Sequence, residues 1–276
     1  MVKTVLIVGL GSIGQRYARL LRKIYGNEIE LLALRERGFN FSINEDFSIK
    51  KINPEKKYNI KSFYRISKLK NKKISHAFIC TPPSKHINDV IKILKFCSPK
   101  ILIEKPITHD YAQLKKLKQK KYSSVHKNIF VSQQLRYSPL TEKLKSILNK
   151  NKLGKISYAT FMFSEYLPLM HPYEDYRISH ASLKKKGGGV VLNLNHDIDM
   201  MYYLFGMPST VIGFENQANI LKIDCEESAN LVFKYKKSNC DFHCRVDLDF
   251  VGKPTKRMWS IVGEKGRIDI DLTKNN

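Results

Sequence analysis

Residues 3–14, Lys3-Thr4-Val5-Leu6-Ile7-Val8-Gly9-Leu10-Gly11-Ser12-Ile13-Gly14, decide how this chain is read. Residues 3–8 are an apolar strand pattern. From about Gly14 to Tyr25 the spacing turns helical, placing Ile13, Tyr17, Leu20, Leu21 and Ile24 on one face. A G-x-G-x-x-G string alone says little, but between a strand and a helix each glycine has a task. The first permits a tight turn, the second lets backbone approach a pyrophosphate, and the third lets helix pack closely on strand. The helix N-terminus adds unpaired N–H groups and the positive end of the dipole. Gly9, Gly11, Ser12, Ile13 and Gly14 are therefore expected to hold a dinucleotide.

A second strand is expected at about Ile29–Leu34. An acidic residue near its end would bind the ribose hydroxyls of NAD. Here Leu34-Arg35-Glu36-Arg37 puts Arg35 in that place, and Arg35 with Arg37 suits the 2′-phosphate of NADP. NADP is favoured slightly, and Glu36, one residue on, keeps NAD open. Residues 38–72 are polar and give no clear element. Strand patterns at 74–80, 100–103 and 129–132 alternate with helical ones at 85–97 and 111–121. That alternation implies a doubly wound parallel sheet over residues 1–132. Residues 133–276 read differently. A helix at about 140–149 precedes a strand at 156–165, an aromatic loop to Lys186 and a helix at 190–205. Strands then follow, joined by turns at 236–239, 252–254 and 264–266. The expectation is an open antiparallel sheet with a helix on one side.

Composition bounds the function classes. The 276 residues, 42% hydrophobic and 11% aromatic, suit two globular domains. The N-terminus lacks the pattern of a secretion signal, and no apolar run approaches the roughly 18 to 20 residues of a membrane span, so a cytoplasmic protein is expected. Five cysteines without paired spacing do not suggest a disulfide framework. Cys240, His243 and Cys244 lie in a strand-like alternation with no second ligand pair, which argues against zinc. The net charge of +24 invites a nucleic-acid reading, but only 11 of the 49 basic residues are Arg and the lysines spread along the whole chain. No nucleic-acid or membrane partner is expected.

Further motifs give a resemblance. Cys80-Thr81-Pro82-Pro83 with His86, Glu104-Lys105-Pro106, Gln133-Gln134-Leu135-Arg136-Tyr137, and Gly187-Gly188-Gly189 leading to His196-Asp197-Ile198-Asp199 follow the glycine turn in order. Together with Arg257 and Ile261-Val262-Gly263-Glu264-Lys265-Gly266, they resemble the glucose–fructose oxidoreductase and inositol dehydrogenase (Gfo/Idh/MocA) family. The resemblance implies a Rossmann domain followed by an α/β substrate domain whose open sheet often joins copies into oligomers. It implies cofactor contacts from Thr81, Pro82, His86, Glu104, Lys105 and Arg136, and places Lys105 and His196 near the nicotinamide. Hydride transfer at a carbinol carbon needs a proton to leave or join the oxygen. His196 is expected as acid/base, with Lys105 polarising or relaying to the same oxygen, or the two roles exchanged.

Family members often carry an Asp one helical turn before the histidine. Here that place falls to Asn193 counted from the glycines, or to Leu192 counted from His196. This shorter motif resembles a branch associated with surface-polysaccharide and acidic-sugar biosynthesis. The loop bearing Tyr166, His171, Tyr173 and Arg177 is similar to the same branch and, with Asn193, suits a sugar or nucleotide-sugar substrate. Family members usually run further than Asn276, so the chain is read as C-terminally short. The expected activity is hydride transfer between nicotinamide and a secondary hydroxyl or ketone of such a sugar. The alternative is a non-catalytic dinucleotide-binding sensor or regulatory subunit.

Overall fold

The strand predicted from the opening residues is β1 (Lys3–Val8), which passes through the glycines into α1 (Ser12–Tyr25). The structure is a computed structural model describing residues 3–36, 38, 41–237 and 240–274. It divides into two units, Met1–Ser132 with Lys185–Gly187, and Gln133–Lys184 with Gly188–Asn276. Among the described residues no helix is long and apolar enough to cross a membrane.

In the first unit, β2 (Ile29–Leu34) is followed by a small hairpin of β3 (Ser42–Ile43) and β4 (Ile49–Lys50). Then come α2 (Pro54–Lys57), β5 (Ile60–Phe63), β6 (Ile74–Ile79), α3 (His86–Leu94), β7 (Lys100–Ile103), α4 (Tyr111–Leu117) and β8 (Ile129–Val131). The six-stranded sheet has the order β5-β2-β1-β6-β7-β8, with every pair parallel. The period-2 alternation of β1 serves two cores. Val5 and Ile7 pack with Ala18 and Leu21 of α1, while Leu6 and Val8 pack with Ile87, Val90 and Ile93 of α3. A sheet covered on both faces explains why β1 reads as an unbroken apolar run. The order reverses between β1 and β6, and ligands of such sheets bind at the carboxyl ends of the strands there.

Two readings of this unit are corrected. The buried stripe of α1 is Gly14, Gln15, Ala18 and Leu21, whereas Ile24 is 67% exposed. Gly14 and Ala18 let the helix axis come close to the sheet, Leu21 stays buried as expected, and Ile24, in the last turn, falls outside the contact. Within 38–72, β5 was not legible, since four residues beside a polar stretch carry little periodicity.

The second unit begins with a 3-10 turn at Gln134–Tyr137 and α5 (Pro139–Asn149). β9 (Ile156–Ser164), α6 (Leu167–Met170), α7 (Val190–Asn193) and α8 (His196–Phe205) follow. The chain continues with β10 (Thr210–Asn216), β11 (Ser228–Lys237), β12 (Cys240–Asp249), β13 (Lys256–Gly263) and β14 (Gly266–Asp271). The predicted turn at 236–239 lies partly outside the described residues. Phe242, Cys244, Val246 and Leu248 of β12 are buried with Phe161, Phe233, Tyr235 and Trp259, while His243 and Arg245 point outward.

The sheet order is β10-β11-β12-β9-β13-β14. It is mixed rather than antiparallel, because β9 runs parallel to β12 and antiparallel to β13. The reason is topological. β12 and β13 follow one another through a short turn and run oppositely, so a strand laid between them must be parallel to one of the two. The single helix expected at 190–205 is also corrected. Leu194, at φ −95° and ψ 22°, leaves α geometry, and the chain restarts as α8 with Asn195 as N-cap.

Candidate active site

The glycine turn is built for close approach. Gly9 has φ +88°, and a Cβ there would meet the Cys80 carbonyl oxygen at 2.9 Å. A Cβ on Gly14 would lie 2.0 Å from the Gly9 carbonyl oxygen. At Gly11, in contrast, a Cβ would meet nothing within 4 Å, so the protein itself leaves that flank open. α1 has no side-chain cap and no acidic residue in its first turn. Its leading N–H groups, at Ser12, Ile13 and Gly14, suit an anion. The residues present therefore fit a dinucleotide pyrophosphate.

Beside this turn, the Tyr17 hydroxyl donates to Glu104 Oε1 at 2.6 Å and lies 3.0 Å from Ser132 Oγ. Burial, reinforced by the Glu104 charge, raises the Tyr17 phenol far above its ordinary pKa, so it stays a donor. The other carboxylate oxygen of Glu104 accepts the Lys105 N–H at 3.3 Å, tying the helix after the glycines to the segment that carries Lys105. Thr81 Oγ1 donates to Asp89 Oδ2 at 2.9 Å, and the Pro82 carbonyl accepts the Lys85 N–H.

Two cofactor contacts expected in this unit are relocated. His86 is 1% exposed, with Nδ1 2.9 Å from the Pro106 carbonyl and Nε2 2.6 Å from the Thr81 carbonyl. It clamps the two loops from inside instead of facing a ligand. The Arg35 side chain is 2% exposed and pairs with Glu55 at 2.5 Å, so its guanidinium is turned inward and not toward a ribose phosphate. Glu36 remains near the surface, paired with Lys85 at 2.5 Å. Arg37 lies outside the described residues.

In the second unit His196 is the first residue of α8 and 8% exposed. Its Nδ1 is 3.3 Å from Gln133 Oε1, and its Nε2 is 3.3 Å from Gln134 Nε2. The next residue, Asp197, is fully buried, accepting from Trp259 Nε1 at 2.6 Å and from Arg257 Nη2 at 2.8 Å. Burial pushes its carboxyl pKa up, while the Arg257 charge and the two bonds pull it down. Asp199 takes Arg136 in a two-pronged pair at 2.8 and 2.5 Å. Arg136, expected at the cofactor, thus spends its fork on α8, and the Asp199 bond raises its pKa.

Asn193 was expected to face substrate. It is 8% exposed, and its amide donates to the Gly189 carbonyl at 2.7 Å, spanning the single turn of α7. The helix break after it also removes the simple one-turn spacing to His196. Gly189, at φ +105°, lets Glu226 approach, since a Cβ there would lie 2.1 Å from Glu226 Oε1. That carboxylate, its pKa raised by burial, accepts the Val191 N–H.

The aromatic loop brings His171 and Tyr173 together, with ring centroids 5.4 Å apart, and His171 Nδ1 lies 3.3 Å from Glu174. Lys253 lies over the Tyr166 ring at 4.8 Å. Arg177 is paired with Asp175 at 2.8 Å and stays largely exposed. Sequence reasoning missed Tyr17, Gln133, Gln134 and Glu226. From the sequence Tyr17 is only part of an apolar face, and nothing in the spacing links Gln133 and Gln134 to a histidine over sixty residues later.

Comparison with known proteins follows this division. Residues 3–130 match the model described as oxidoreductase family, NAD-binding Rossmann fold, and residues 141–269 match the GFO/IDH/MocA C-terminal domain. Among solved structures, myo-inositol 2-dehydrogenase from Lactobacillus plantarum is similar at 18% identity and TM-score 0.76, covering 98% of this chain and 76% of that one. The WlbA dehydrogenase from Bordetella pertussis, in complex with NADH and UDP-GlcNAcA, is similar at 16% identity and TM-score 0.78, covering 98% and 73%. Scyllo-inositol dehydrogenase from Lactobacillus casei, with bound NAD(H) and scyllo-inositol, gives 17% identity and TM-score 0.74, covering 98% and 76%. At these identities the likeness is one of fold. No curated protein matches the chain.

Proposed function

The chain belongs to the Gfo/Idh/MocA oxidoreductase family, and from that premise we propose that it oxidises a secondary hydroxyl of a sugar or nucleotide sugar, or reduces the ketone. The observation that carries this reading is the glycine turn: an open flank at Gly11, an uncapped α1 N-terminus, and Glu104 and Lys105 tied to the same helix through Tyr17. When bound, the nicotinamide supplies the hydride acceptor or donor. In the oxidative direction His196 would receive the substrate's hydroxyl proton at Nε2. Lys105 supplies positive charge at that oxygen.

NAD is favoured over NADP in this reading, because Arg35 is committed to Glu55 while the acidic Glu36 sits at the end of β2. Tyr166, His171, Tyr173 and Arg177 are assigned to sugar recognition, aromatic faces and hydroxyls suiting the ring and Arg177 an acidic substituent. The outward face of the second sheet, which includes the exposed Ile212 and Phe214, is assigned to self-association.

Titration with NADH and NADPH, followed by turnover on a panel of inositols, sugars and nucleotide sugars, tests the reading. Gly11→Val should abolish dinucleotide binding. Lys105→Ala and His196→Ala should keep binding within about threefold and lower turnover by about 10²–10⁴. Tight dinucleotide binding without turnover of any panel member would favour a sensor instead.

A further inference from the structure

His196 is held by two side-chain amides, and their polarity defines which ring nitrogen carries the proton. We propose that Gln133 is a positioning residue that fixes His196 as the Nδ1–H tautomer, leaving Nε2 as the proton acceptor, with the Gln134 amide covering that nitrogen until substrate displaces it. The inference rests on the acid/base assignment of His196 and adds what prepares the ring for it.

The argument is one of donors and acceptors. An amide oxygen only accepts and an amide nitrogen only donates. Gln133 Oε1 at 3.3 Å from Nδ1 therefore requires a proton on Nδ1, and Gln134 Nε2 at 3.3 Å from Nε2 requires a lone pair there. The neutral ring with its proton on Nδ1 satisfies both. Which nitrogen of a histidine reacts is set by the bond the other one makes.

The two glutamines then differ in role. When Nε2 takes a proton, the Nδ1–H bond to Gln133 persists and strengthens, but the Gln134 N–H faces another donor and must withdraw. Gln133 suits both protonation states, whereas Gln134 suits the base form alone. Exposure fits this difference, Gln133 being half-buried and Gln134 exposed.

The placement is fixed by neighbours. Gln134 opens the 3-10 turn that carries Arg136, and the Arg136–Asp199 pair holds that turn on α8. Asp197 is pinned by Arg257 from β13 and Trp259, so the ring at the helix start cannot drift. On the same helix Lys145 of α5 lies over the Tyr203 ring, and Asp249 of β12 is held by the Val251 and Gly252 N–H groups. None is altered by the variants below.

The test uses the full chain labelled with nitrogen-15 histidine, with His196→Ala to assign the His196 signals. The expected spectrum at neutral pH shows the Nδ1–H tautomer, and in Gln133→Leu that preference collapses. In steady-state assays Gln133→Leu should lower kcat at least about tenfold with dinucleotide Kd unchanged. Gln133→Glu, which keeps an acceptor but adds a charge, should retain the tautomer and move the acid-side inflection of kcat/KM for oxidation up by about one pH unit or more. An Nε2–H tautomer in the unsubstituted protein, or spectra and inflection unmoved in both variants, would overturn the proposal. Full turnover in His196→Ala would instead remove the acid/base assignment, and the tautomer spectra would still decide whether Gln133 orients the ring.

Discussion

Arg257→Met provides a severe test of how the start of α8 is held. Asp197 is fully buried, the Arg257 side chain is 14% exposed, and the methionine keeps an apolar stem in place of the guanidinium's. Removing one partner of a buried ion pair costs about 3–5 kcal/mol, because the remaining charge is left without compensation. At roughly 2–4 °C per kcal/mol, the melting temperature should fall by about 6–20 °C. The loss should depend on pH with a definite sign. Burial already raises the Asp197 carboxyl, and without Arg257 its folded-state pKa rises further. A raised carboxyl pKa gives stability that is present in full below the unfolded value near 3.9 and is lost as pH rises through the folded value. The deficit of Arg257→Met against the unsubstituted protein should therefore be largest at pH 7–8 and shrink toward pH 5. Adding Asp197→Asn should recover part of it at neutral pH. Urea unfolding at several pH values measures all three quantities. A loss under about 1 kcal/mol at pH 7.5, or a deficit constant from pH 5 to 8, would refute the assignment of Asp197 as a buried, Arg257-dependent charge.

Other outcomes are open to simple measurement. Gly11→Ala should melt like the unsubstituted protein yet bind NADH at least tenfold more weakly, whereas Gly14→Ala, whose methyl would meet the Gly9 carbonyl at 2.0 Å, should lose stability first. Tyr17→Phe should cost about 1.5–3 kcal/mol, as for a hydrogen bond to a charged group, and should lower turnover by loosening Glu104 and the Lys105 segment; equal stability and rate would dismiss that link. Glu55→Ala should release Arg35 and move the NADPH-to-NADH affinity ratio upward, and an unchanged ratio would show that Arg35 plays no part in cofactor choice. Burial holds His86 below its ordinary 6.5 against the opposing pull of two carbonyls, Glu104 and Asp89. The unfolded chain therefore binds the proton first, and stability should fall as pH drops below about 6.5; a His86→Gln variant should lose that slope in thermal melts.

What the sequence disclosed follows from how far each signal reaches. The apolar run 3–8 and the spaced glycines act through local geometry, so the first sheet and its turn could be read directly. β5 escaped notice because Ile60–Phe63 is short and takes its stability from lying against β2. The pairing of β9 with β12 could not be foreseen, since period-2 alternation specifies a face and not a neighbour. Arg35 illustrates the same limit in the site. Its position at the end of β2 suggested a phosphate ligand, but Glu55, twenty residues away in a segment with no clear pattern, sets where its charge points. His196 stands out by motif, yet the two glutamines in contact with it are invisible to any count along the chain.

The position of β9 has a bearing on how the molecule comes into being. It is made well before the two strands that flank it, and both of its edges stay open while residues 165–239 are synthesised. When β12 and β13 emerge, joined by a short turn, their quickest option is to zip onto each other as a hairpin, which would exclude β9 altogether. Correct assembly asks the newborn pair to part and admit an older strand. This half of the protein is therefore where crowding, heat or a slow ribosome should first divert nascent chains into aggregates.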